Sequence, residues 1–235
     1  VMRKAYHEEL DRIAESLVEM THLAASAMSR ATTALLDADV HLADSVITAD
    51  AEIDARREQI DLLSFDLLAL QQPVATDLRV VVTSMRMSSD IERMGDLARH
   101  VAKVARLRYP ASAVPPELRG TFREMGQVAE LIVEKVGSVI AARDVDGARE
   151  IARDDDVMDA LHRELFEHVT GKDWPHDTET AVDITLLGRY YERFADHAVS
   201  VAERVVWIVT GAWGHEANGS HEDAEDASTT PRIQG

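Results

Sequence analysis

The feature that most constrains this chain is an internal repeat. The stretch DIERMGDLARHVAKVA (90–105) nearly recurs as YYERFADHAVSVAERV (190–205). At a constant offset of 100, Glu92 meets Glu192, Arg93 meets Arg193, Asp96 meets Asp196, and Ala98, Val101 and Ala102 meet Ala198, Val201 and Ala202. An earlier stretch, DADVHLADSVITADAEID (37–54), parallels ARDVDGAREIARDDDVMD (142–159) at an offset of 105, pairing Asp39, Val40, Ala43, Asp50 and Asp54 with Asp144, Val145, Ala148, Asp155 and Asp159. A period near 100 residues is too long for a solenoid unit. It suits a duplicated three-helix bundle.

Helix breakers divide the chain in the same way: LLDADV (35–40), LQQPVATD (70–77), RYPASAVPP (108–116), AARDVDG (141–147) and GKDWPHD (171–177). Between them lie segments of roughly 25–35 residues rich in Ala, Leu, Val, Glu and Arg, all comfortable in helices. Aromatics at only 5% and few glycines disfavour a β fold. The predicted fold is all-α: six long antiparallel helices in two tandem three-helix bundles. The bundles are expected at 3–107 and 117–210, with a proline-rich linker at 108–116 and a disordered acidic tail at 211–235.

The formal net charge of −18 excludes a typical nucleic-acid partner, whose phosphates require a basic surface. It favours cations or basic protein patches. The chain contains no cysteine, so it has no disulfide framework and no thiolate metal site, which suits a reducing cytoplasm. No apolar run reaches the length of a membrane span, and VMRKAYHEEL has no signal-peptide h-region.

On the third helix Met87, Ile91, Met94, Ala98 and Val101 form one apolar stripe, mirrored by Leu187, Tyr191, Phe194, Ala198 and Val201. Glu92 and Asp96 lie on the flank of that stripe, one turn apart. On the second helix the stripe reads Leu42, Val46, Ala49, Ile53 and Ile60, with Asp50 and Asp54 one residue beyond it. The midpoints of the two acidic pairs, 52 and 94, centre the first fold-back at Pro73; those of the second half, 157 and 194, centre it inside GKDWPHD. Each hairpin is thus expected to bring four carboxylates level. Like charges so placed repel unless a cation lies between them. Arg93 and Arg193 are the internal candidates. The external one is a metal ion taking hard oxygen ligands: Mg²⁺, Mn²⁺, Ca²⁺ or iron.

The pattern LQQPVATDLR…DIERMGDLARHVA, followed by LLGRYYERFADHAVSVAE, resembles the PhoU family of phosphate-specific transport accessory proteins, over about residues 3–210. The resemblance implies two three-helix bundles, each holding a metal cluster. One site would be formed by Asp50, Asp54, Glu92 and Asp96, the other by Asp155, Asp159, Glu192 and Asp196. The metals implied are divalent or multinuclear (Mg, Mn, Fe or Zn). It further implies a cytoplasmic, usually dimeric, negative regulator of phosphate uptake. Its implied partners are the phosphate ABC transporter's ATPase and the sensor histidine kinase of phosphate-starvation signalling.

The alternative is a di-iron carboxylate enzyme, which in a helical bundle takes two Glu-x-x-His motifs on facing helices. Only Glu19–His22 fits, on the first helix. A histidine phosphotransfer domain would need one distinctive histidine, and none of the ten stands in a repeated context. His100 and His197 flank the third-helix motifs without corresponding to each other, leaving His197 as an optional extra ligand of the second site. No nucleophile elbow or glycine-rich phosphate loop occurs, and the expectation is a regulator, not an enzyme.

Overall fold

A computed structural model describes residues 2–212, with side chains from Tyr6 onward. The helices are α1 (Met2–Asp37), α2 (Val40–Gln71), α3 (Ala75–Arg108), α4 (Arg119–Ala142), α5 (Val145–Thr170) and α6 (Thr178–Thr210), with one 3-10 turn at Pro116–Leu118. No strand occurs among the described residues. Most of the segment expected as an acidic tail lies outside them. Its first residue, Gly211, closes α6 with a left-handed φ of 76° and donates its N–H to the Trp207 carbonyl.

The repeat extends to the way helices stop and start. α1 is followed by Ala38 and α4 by Arg143, both left-handed (φ 51° and 52°). The next residue then caps the following helix. Asp39 accepts the N–H groups of His41 and Leu42, and Asp144 accepts those of Asp146 and Gly147. The paired Asp-Val dipeptides are therefore N-caps followed by a first helical residue, which satisfy otherwise orphaned donors. The other hairpin turns contain Pro73 and Pro175, residues that cannot continue a helix interior.

Helices α1–α3 form one bundle and α4–α6 the other, and the two pack together along α1/α4 and α3/α6. A single continuous core runs through both. Tyr191, Phe122 and Phe194 are among its deepest side chains, and each such residue contributes about 1.5–3 kcal/mol by leaving water. The α1/α4 approach is close. A Cβ on Gly126 would fall 2.7 Å from Thr32 Cγ2, and one on Gly137 would fall 2.6 Å from Thr21 Oγ1. The α3/α6 seam is polar along its length. Arg108 holds Asp183 at 2.5 and 3.0 Å, Arg204 and His197 hold Asp90 at 2.8 and 3.2 Å, and Arg79 lies 5.5 Å from the Trp207 ring centre. Partner numbers fall along one helix as they rise along the other, so α3 and α6 run antiparallel.

Segment 108–116 is more than a spacer between bundles. Arg108 is the last residue of α3, and Ala113 and Val114 are buried in the shared core. Small apolar side chains between the prolines let the loop fold down onto the helices instead of standing clear of them.

Candidate metal centre

The α2/α3 and α5/α6 hairpins fold back in the expected register. Position 95 lies against Asp50 and Ile53, and position 188 against His162 and Leu165. The third-helix stripes are buried as read from the sequence. The α2 stripe is different. Its buried positions are Ala43, Val46, Asp50, Ile53, Ile60, Ser64 and Leu67, whereas Ala49 is exposed. These steps are three, four, three, seven, four and three, the spacing of one helix face, so Asp50 occupies a core position and not a flank. Alanine tolerates either environment, and counting Ala49 as core shifted the phase by one residue. In α5 the sequence Ala148, Ile151, Asp155, Met158 places Asp155 on the equivalent stripe, half-buried between buried neighbours.

In the first half, Asp50 is the floor of a groove, with Glu92 and Asp96 half-buried on α3 and Asp54 exposed at the rim. Gly95 makes the close approach possible: a Cβ there would lie 3.1 Å from Asp50 Oδ1 and 2.8 Å from Ile53 Cδ1. Burial raises the Asp50 pKa; Arg99 opposes the rise, and Asp54, Asp96 and Glu92 add to it. Burial likewise raises Glu92, against the pull of Arg93.

The internal cation of this groove is Arg99. Its Nη1 lies 2.5 Å from Asp50 Oδ2, and its Nη2 bonds Asp96 Oδ1. The Asp50 contact is ionic without hydrogen-bond alignment, since Asp50 Oδ2 and Arg99 Nε are both buried with no hydrogen-bond partner. Arg93, the candidate from sequence, lies on the outside, 3.0 Å from Asp96 and 3.8 Å from Glu92. Sequence reasoning missed Arg99 because its position in the repeated stretch, with Val199 at the equivalent place, is not itself repeated. Its place one turn beyond Gly95, on the helix face that carries Asp96, was the available signal.

In the second half, Asp155, Asp159, Glu192 and Asp196 come together at the equivalent place. Asp155 has its pKa raised to about 6 by burial first and then by Asp159, Asp196 and Glu192. Asp155 Oδ1 and Glu192 Oε2 are buried without hydrogen-bond partners. Arg189 contacts Glu192 from the exposed side, while Arg193 makes no ion pair among the described residues. Burial and Asp196 raise Glu192, and Arg189 opposes them.

His162 of α5 is near enough to favour the charged form of Glu192, but the two histidines singled out from the sequence lie elsewhere. His197 turns its Nδ1 to Asp90 of α3, and His100 stacks on Tyr190 with ring centres 5.3 Å apart. His197 is therefore committed to the α3/α6 seam and not to the second groove. Glu19, the one candidate for a di-iron motif, is paired with Arg56.

As the side chains stand, no three His, Asp or Glu groups among the described residues close on one point. The structure holds two grooves of carboxylate and no preformed cage. Their chemistry nevertheless fits a hard cation. The donors are all carboxylate oxygens, at least one per groove is buried without a hydrogen bond, and their mutual repulsion falls when positive charge enters.

The PhoU domain matches this chain twice, over residues 17–105 and 122–205. A phosphate-specific transport system accessory protein of Mycobacterium tuberculosis, PhoU homolog 2, is 50% identical over 212 residues, 90% of this chain and 100% of that protein. A second homolog from the same organism is 44% identical over 89% of this chain and 95% of its own length. Two crystal structures share the fold. The phosphate transport regulatory protein PhoU of Streptococcus pneumoniae superposes with a TM-score of 0.80 at 26% identity, over 88% of this chain and 98% of that one. PhoU of Pseudomonas aeruginosa gives 0.79 at 30% identity, over 88% of this chain and all of the other.

Proposed function

The chain belongs to the PhoU family, and from that premise we propose that it is a metal-binding regulatory adaptor of phosphate-specific transport. In this reading it works in the cytoplasm as a homodimer and restrains phosphate uptake and phosphate-starvation signalling. It does so by connecting the transporter's ATPase with the sensor histidine kinase. Among the described residues no helix is long and apolar enough to cross a membrane. The metal part rests on one observation: both hairpins place an aspartate on the core stripe of a helix, facing three further carboxylates. A bound divalent or multinuclear ion (Mg, Mn, Fe or Zn) would supply the positive charge that lets these groups stay ionised together. Asp50, Asp54, Glu92 and Asp96 would hold it in one half, Asp155, Asp159, Glu192 and Asp196 in the other. Holding it would tie α2 to α3 and α5 to α6, and fix the shape of the outer surface that partners meet. The net charge of −18 suits a basic patch on at least one partner, with attraction that weakens as salt rises.

Two measurements test this. Element analysis of protein purified without chelator should find divalent metal, reduced when Glu92, Asp96, Glu192 and Asp196 are all changed to alanine while helical content stays. Full metal stoichiometry in that variant refutes the groove. Deletion of the gene should leave phosphate-starvation genes switched on in phosphate-replete cells. Normal repression, in a strain without a paralogue, refutes the adaptor role.

A further inference from the structure

The two grooves differ at one decisive position. Aligned at the offset of 100, Arg99 of α3 corresponds to Val199 of α6. Arg99 reaches between Asp50 and Asp96, and Val199 packs against the apolar core. Among the described residues no ion pair reaches Asp155, Asp159 or Asp196; Arg189 pairs with Glu192 from its solvent side, and His162 of α5 favours the charged form of Glu192 without pairing with it. We propose that Arg99 is a built-in counter-cation that makes the halves unequal toward divalent ions. The second-half groove takes the ion tightly, and the first-half groove takes it only when Arg99 is displaced.

The reasoning is competitive. An ion entering the first half must compete with a guanidinium already against Asp50, whose side chain is 4% exposed. Displacing Arg99 also breaks its hydrogen bond to Asp96 Oδ1. In the second half, buried oxygens on Asp155 and Glu192 have no hydrogen bond to give up. Groups beside metal ligands commonly change affinity by about 10–100-fold, and a cation in direct contact should do at least the lower end of that.

This inference rests on the metal-binding reading above, and the test separates the two. Mn²⁺ would be titrated into the full chain by calorimetry, with free Mn²⁺ followed by its paramagnetic resonance signal. Two classes of site are expected, differing by about tenfold or more in affinity. The tighter class should vanish in Glu192→Ala/Asp196→Ala and persist in Glu92→Ala/Asp96→Ala. Arg99→Gln, close in length and uncharged, should tighten the weaker class by about tenfold, and Arg99→Val should do the same if it folds. Val199→Arg should weaken the tighter class. If the tighter class instead vanishes with Glu92 and Asp96, or if two equal classes are indifferent to Arg99→Gln, the inequality is overturned while metal binding stands. No Mn²⁺ bound in any form overturns the metal reading, and this inference with it.

Discussion

Asp155→Asn tests directly whether the second groove carries uncompensated charge. Asp155 stands among Asp159, Glu192 and Asp196, with Oδ1 buried and unpartnered, and its pKa rises from 3.8 to about 6. A folded-state pKa above the unfolded one means that folding favours the protonated carboxyl. Its contribution to stability is complete below pH 3.8 and is lost as the pH rises through about 6. At ~1.36 kcal/mol per pH unit that difference is about 3 kcal/mol. Water screens part of this half-buried side chain, so about 1–2 kcal/mol is the expected effect at neutral pH. Asparagine keeps the shape and removes the charge. In chelator near neutral pH the variant should therefore melt roughly 2–8 °C above the parent. Near pH 4 the gap should close, because the parent carboxyl is then protonated as well. Added Mn²⁺ should reverse the order, stabilising the parent more than the variant. Calorimetric melting at the two pH values, with and without metal, gives all four comparisons. A variant less stable than the parent in chelator at neutral pH would refute the picture of an unrelieved buried charge.

Three further outcomes follow from the packing. Gly126→Ala should lower stability by about 1–2 kcal/mol in urea unfolding, since the new Cβ meets the stiff Thr32 side chain and the clash outweighs the gain in helix propensity. An unchanged midpoint would mean that α1 and α4 slide apart freely. Tyr191→Phe should cost about 0.5–1.5 kcal/mol in the same assay: Thr32 gives its own proton to the Met28 carbonyl, so Tyr191 must be the donor in their 2.7 Å bond. Arg108→Met should lower the midpoint by leaving the buried Asp183 carboxylate unpaired, and adding Asp183→Asn should recover part of the loss. A double variant no better than the single would place the effect in packing and not charge.

Much of this architecture was legible because each structural device occurs twice. Pro73 and Pro175 mark the hairpins, and the carboxylate spacing fixes their register. What stayed hidden was of two kinds. The phase of α2 turns on Ala49 against Asp50, and periodicity gives an aspartate no credit as a core residue, which favours the apolar neighbour. The joining of the halves was hidden because its contacts are not repeated. Asp90 meets His197 and Arg204, while the residue at the equivalent place of Asp90 is Tyr190, which stacks on His100. A duplicated sequence shows what the halves share. The surface where they meet is built from their differences.

The misplaced aspartate also bears on function. A carboxylate on a solvated flank costs little and explains nothing, which is why a Glu-x-x-x-Asp pair alone carries little weight. A carboxylate on the buried stripe of a helix opposes folding, since its charge must leave water. An apolar residue at position 50 or 155 would pack there without that cost, yet both halves carry aspartate, each facing three more acids. Solubility does not account for this, because buried charge adds nothing to the surface. Fold specificity does not either, because the neighbouring apolar stripe already fixes the register. A cation, taken up from outside or supplied by Arg99, gives these positions a reason to be acidic. The first half contains that cation in its own sequence, and the second does not.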